Sequence, residues 1–302
     1  MIVRPKQRWP RLLFVWHGSV LRTIIPQLVF MAAVSSLAVI TQGRVFGEKI
    51  PLNTTLLTLF GLTLAIFLGF RNNQSYERYK EARCLWGQML FAARSLTSQA
   101  LCYLPDRALA TPAANLLVAC AYALKHQLRD TDPHDDLCRL LGCERANALR
   151  AKCFKPLALL HELRAYLARH NGSGHMPDVH FWTVDAIGDL CKAVSGCERI
   201  ASTPIPFAYS VLLHRTIFTY CVLLPFALVD ATELFTPVLC VFLSYTLIAL
   251  EAIADEVADP FGVAPHALAL DEMTRNIERS ILELCDRQLP EPMTPSHTYQ
   301  LT

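Results

Sequence analysis

Between Pro51 and Pro105 the chain contains no proline, and from residue 51 to residue 70 it contains no charge either. A helix through the whole stretch would be about 80 Å long at 1.5 Å per residue. That is more than twice the roughly 30 Å of a bilayer's hydrocarbon core. The uncharged start can cross a membrane, whereas the remainder carries Arg71, Arg78, Lys80, Glu81 and Arg83 and belongs in water. One rod running out of lipid into water is therefore expected, with Pro51 in its first turn, where its missing N–H costs nothing. Glycines at 61, 69 and 87 let neighbouring helices come close.

Three other stretches have the length and oil of a span: residues 23–43, which are uncharged; 206–229, which contain His214 and Arg215; and 234–250, which stop at Glu251. The composition fits a chain divided between lipid and water, with 53% hydrophobic and 18% charged residues and a mean hydropathy of +0.29. A net charge of +2 excludes the broad basic footprint of a nucleic-acid binder. High hydrophobicity with balanced charge excludes a disordered chain. Arg4, Lys6, Arg8, Arg11 and Arg22 precede the first span, and Arg71, Arg78, Lys80 and Arg83 follow the second. The positive-inside bias puts both termini and residues 71–205 in the cytoplasm, and no cleavable signal peptide is evident. The expected division is an N-terminal segment with two spans at 1–70, a cytoplasmic helical region at 71–205, two spans at 206–250, and a C-terminal helix with an extended tail at 251–302.

The soluble half reads as helical. Thr111-Pro112, Asp132-Pro133, Pro156 and Asp178 open helices, and Gly142 and Asn171-Gly172 close two of them. Runs of alternating β-branched residues are missing, so the fold class is all-α with essentially no sheet. Prolines at 290, 292 and 295 keep the last stretch extended, on the surface or across a neighbouring subunit. Eleven cysteines form no C-x-x-C pair and many sit among apolar helical positions, the pattern of free thiols in a reducing compartment. His170, His175 and His180 are interrupted by Gly172 and Gly174, and neither H-E-x-x-H nor G-x-S-x-G occurs, so no zinc, no other cofactor and no hydrolase chemistry is expected. His214 and Arg215, inside the third span, either brace neighbouring helices or meet ions.

On the long helix Leu62, Ile66 and Phe70 share one face, with Thr55 or Thr58 before them and Asn73 and then Glu77 after. Polar, apolar, polar along one face suits a hydrophobic constriction between two wet vestibules, a device that gates by dewetting. Bundle packing is the more ordinary source of such a face, since apolar residues at this spacing are commonest in cores. One subunit supplies one such helix, so a pore needs a symmetric ring.

The segment FLGFRNNQSYERYKEARCLWG at 67–87 resembles the second-helix signature of the bacterial bestrophin family. RLLFVWHGSV at 11–20, CERIASTPIPFAYSVLLHRTIFTYCVLLPFAL at 197–228 and IADEVADPFG at 253–262 resemble the same family in the same order. The resemblance implies an all-helical homopentameric ion channel of the bacterial inner membrane, which holds no cofactor and passes small inorganic ions, chloride among them. It maps the pore neck onto Leu62, Ile66 and Phe70. It puts a cytoplasmic aperture near the start of the 177–200 helix, at Val179 or at His180 beside it.

Animal members hold calcium with an acidic run after Pro-Phe-Gly, but here Pro260-Phe261-Gly262 is followed by VAPHALAL. Glu256 and Asp259 keep oxygens at two of those positions, too few for an ion that takes six to eight oxygen ligands, and no tight calcium gating is expected. Glu77 and Glu81 below the neck would form acidic rings that favour cations, unless Arg78, Lys80 or Arg83 pairs with them. Two other readings stand beside the channel: a membrane-anchored scaffold docking a cytoplasmic partner, with no ion flux, and a transporter. The transporter is disfavoured by the lack of an inverted repeat.

Overall fold

The structure, a computed structural model, describes residues 1–2, 10, 15, 18–45, 48–49, 52–170, 177–296 and 299–302, without the side chains of 45 and 177–184. The expected first-turn Pro51, most of the 11–20 motif, the Asn171-Gly172 helix stop and His175 lie outside the described residues. The chain is mostly helical. Its elements are α1 (Leu21–Ile40), a two-residue hairpin β1 (Arg44–Val45) and β2 (Glu48–Lys49), α2 (Thr54–Tyr103), α3 (Ala110–Leu128), α4 (His134–Leu141), α5 (Cys143–Arg150), α6 (Lys155–His170), α7 (Pro177–Ser202), α8 (Phe207–Thr232), α9 (Thr236–Ala258) and α10 (Leu270–Leu284). The hairpin and an isolated bridge between Ile2 and Gln300 are the extended pairings among the described residues.

Two compact units share these elements. One comprises residues 5–79 and 204–259; the other comprises 1–4, 80–203 and 260–302, and α2 contributes residues to both. In the first unit α1 packs on α9 and α8. Met31, Leu64, Leu68, Leu213, Ile217 and Cys221 form one buried cluster, and Leu57, Leu224 and Cys240 another. Ser35, Thr236 and Ser244 are buried here, small polar residues that allow close helix contact. Ser35 spends its hydroxyl on the Met31 carbonyl (2.6 Å). Gly43 has a left-handed φ of +71°, and a Cβ there would stand 3.0 Å from Val229 Cγ1, so only glycine fits at the turn into the hairpin. Lys49 pairs with Asp230 across 2.7 Å and ties that hairpin to the end of α8.

In the second unit α3 is the centre, packed by α6, α4 and α10. By length and composition four helical stretches qualify to cross a membrane: Leu21–Ile40, Thr54–Tyr103, Arg107–Leu128 and Phe207–Ala258. The last is α8 and α9 joined by a short turn. Residues 110–128, in contrast, are buried nearly all round by protein, the state of a helix in a globular core rather than in lipid. The candidate membrane helices are thus α1, the start of α2, α8 and α9.

Ion pairs hold the charged edge of α3. Lys125 reaches Asp271 (3.0 Å) and Asp136 (3.6 Å), and Arg129 reaches Asp271 (2.6 Å) and the carbonyls of Phe261 and Leu268. Buried Glu278 accepts from Tyr122 (2.6 Å) and Arg139 (2.5 Å), with Arg275 at 3.3 Å. The C-terminal stretch is extended, as its prolines require, and returns to its own chain. Leu301 exchanges hydrogen bonds with Met1, and Glu272 N–H donates to the Thr302 carbonyl.

Candidate functional site

The long helix exists because nothing in its sequence stops it. Asn53 starts it, its side-chain oxygen accepting from the Thr55 N–H at 2.9 Å, and the helix continues unbroken to Tyr103. Buried positions 57, 64, 68, 71 and 75 follow the three-to-four spacing of a single face. On the other side Leu62, Ile66 and Phe70 stand 59%, 51% and 64% exposed, one above another. Thr55 and Thr58 before them, and Asn73 and Glu77 after, are exposed too. Apolar neighbours Leu59, Phe60 and Phe67 widen the uncovered surface. A groove of about 620 Å³ opens beside Phe60, Phe67 and Phe70, with Tyr209 and Leu212 of α8 on its far wall.

Directly after Phe70 comes a charged knot that periodicity does not reveal. Arg71 is buried, its side chain 5% exposed beside a Glu251 that is 8% exposed. Its Nη1 lies 3.7 Å from the Glu251 carboxylate, while Nη2 donates to Ser210 Oγ (3.1 Å) and to Asp255. His214 Nδ1 meets the same Glu251 oxygen at 3.2 Å. Buried charge survives only when paired, so this cluster bolts α2, α8 and α9 together. Of the two ways His214 could act, the contact with Glu251 is the bracing one. One signal of the knot was in the sequence: Glu251 and Asp255 stand one helical turn apart at the end of an apolar span. Two turns further along α2, Arg78 donates to the Ala258 carbonyl at 2.7 Å, satisfying one of the four carbonyls that every helix end leaves open.

Glu81 is ion-paired with Arg199 of α7, a partner far off in sequence and none of the three neighbours its own helix offered. Val179 and His180 lie in the first turn of α7, and their side chains fall outside the described residues. Glu256 is half-buried in the last turn of α9, and Asp259 is exposed just past its end. Among the described residues no three His, Cys, Asp or Glu side chains are grouped to hold a metal.

Known proteins resemble this chain over nearly all of it. A family model described as bacterial/fungal bestrophin protein matches residues 1–283. A protein of Ralstonia nicotianae named voltage-dependent anion channel-forming protein is 42% identical over 292 residues, covering 94% of each chain. YneE of Escherichia coli, with the same descriptive name, is 39% identical over 306 residues and covers 100% of both. The crystal structure of a bacterial bestrophin homologue from Klebsiella pneumoniae matches with a TM-score of 0.84 at 38% identity, over 88% of this chain and 99% of that one. With a buried charged knot bracing three apolar helices, a 50-residue helix open along one face, and these matches end to end, the chain belongs to the bacterial/fungal bestrophin family.

Proposed function

We propose that the chain is one subunit of a homopentameric channel that passes chloride and other small anions passively across the bacterial inner membrane. The observation that carries this is the open face of Leu62, Ile66 and Phe70 on a helix one chain cannot close. Lipid would cover the apolar residues alone, but the same open face carries Thr55 or Thr58 before them and Asn73 after, which suits a neck between wet vestibules on the axis of a ring of subunits. Relatives named for anion channels support the sign of the ion. So does Arg199, which offsets the charge of Glu81, one of the two carboxylates that would favour cations. The cytoplasmic aperture is assigned to Val179 with His180. Both termini, residues 71–205 and the region after residue 250 face the cytoplasm, in keeping with the basic residues flanking α1 and the first part of α2. No covalent bond is made or broken and no cofactor takes part.

Purified protein in a planar bilayer under a chloride gradient tests the reading. A current whose reversal potential follows chloride is the expected result. A reversal at the cation potential would overturn the ion assignment, and no current at all would favour the membrane-anchored scaffold.

A further inference from the structure

The cysteines are free thiols. Cys120, Cys197, Cys221 and Cys240 are buried as small hydrophobes, but Cys138 and Cys143 form a different arrangement. Cys138 is near the end of α4 and Cys143 is the first residue of α5. Between them Gly142, at φ +88°, donates its N–H to the Cys138 carbonyl (3.0 Å) and folds the two helix ends together. The turn leaves Cys138 and Cys143 five residues apart on adjoining helix ends, and Cys143 is the main influence holding the Cys138 thiol protonated, pushed up to about 11. One turn back, His134 aims Nε2 at Cys138 Sγ from 3.5 Å. The other ring nitrogen of His134 is buried and has no hydrogen-bond partner among the described residues, so the thiol is the polar group this imidazole serves. Cys143 is exposed and Cys138 half-buried. An exposed thiol to attack, a second thiol beside it to resolve, and a base for the second proton are the parts of a thiol–disulfide exchange site.

We propose that Cys143 and Cys138 are a redox dithiol, which a low-molecular-weight disulfide such as glutathione disulfide oxidises to an internal disulfide. The Cys143 thiolate attacks one sulfur of glutathione disulfide, forming a mixed disulfide and expelling one glutathione thiolate. Cys138 then passes its proton to His134 Nε2 and attacks the Cys143 sulfur. The second glutathione leaves as thiolate and takes that proton. Two protein thiols are oxidised, one glutathione disulfide is reduced to two thiols, and the product staples α4 to α5 across Gly142.

Full-length detergent-solubilised protein, treated with glutathione disulfide, alkylated and cut with trypsin, tests this. Residues 130–139 and 140–145 should appear as one joined species, lighter by two hydrogens than their sum. Cys138→Ser should trap glutathione on Cys143, whereas Cys143→Ser should carry none on Cys138 at the same ratio. His134→Gln should form the mixed disulfide normally and close it about a hundredfold or more slowly, the scale of a lost general base. If wild-type protein shows both thiols alkylated and the peptides never joined, the dithiol is overturned whatever the variants do. If both serine variants take up glutathione equally, the attacking and resolving roles are overturned.

Discussion

Taking the guanidinium away from Arg71 leaves Glu251 buried with only the exposed His214 beside it. Breaking one side of a buried pair costs about 3–5 kcal/mol, because the remaining charge has lost its counterion. Arg71→Met should therefore lower the thermal unfolding midpoint in detergent sharply, and adding Glu251→Gln should restore part of the loss. A single variant that melts with the wild type would show that the knot does not brace the helices. Asp271 and Asp136 carry a pH dependence. Burial alone would raise the Asp271 carboxyl, but hydrogen bonds from Lys125 and Arg129, and their charges, outweigh it and hold the group below its ordinary range. Asp136 is likewise lowered against its burial by His126, Lys125 and Arg139. A depressed folded-state pKa contributes stability that is complete above the unfolded value near 3.9 and lost as pH falls through the folded one. Stability should hold from neutral pH down to about 4 and fall below it. Asp271→Asn should be less stable at neutral pH and flatter in acid, which melting curves at stepped pH will show.

Helix α2 illustrates how far local sequence reaches. Its length was readable because a helix needs only the absence of stops: Pro51 and Pro105 bound the stretch, and the helix runs from Thr54 to Tyr103, beginning a few residues after the expected Pro51. What it packs against was not readable. A Cβ on Gly61 would lie 2.6 Å from the Tyr220 hydroxyl and 3.0 Å from its ring carbon, so α2 and α8 meet closely there. Gly61→Ala should cost about 1–3 kcal/mol, the usual penalty of overpacking, and Tyr220→Phe in the same chain should recover some of it. An unchanged melting point for Gly61→Ala would mean the helices separate freely at this level. The helix at 110–128 teaches the converse. Its composition alone passes for a membrane span, and its burial nearly all round agrees with the reading of residues 71–205 as a protein-packed helical region.

The proposed neck belongs to the proposed ring of subunits, since one α2 presents a face and only several could make a constriction. Replacing Leu62, Ile66 and Phe70 together with alanine should widen the neck and raise single-channel conductance several-fold, because dewetting weakens as an apolar constriction broadens. Unchanged currents would remove the neck from these residues. By itself the sequence determined the class of molecule: four apolar stretches, a helix too long for the bilayer, and family motifs in order. These are local or additive properties, set by hydropathy, helical period and the lack of prolines, and they need no knowledge of what touches what. Only the tertiary structure decided which charges are paired. Arg71 with Glu251 and Asp255, and Glu81 with Arg199, join residues more than a hundred positions apart, and such pairings arise only when packing brings helices side by side. The same packing joined the helix ends that carry Cys138 and Cys143 around Gly142 and left the Leu62 face open, since the buried side of α2 is chosen by its neighbours and not by its own period.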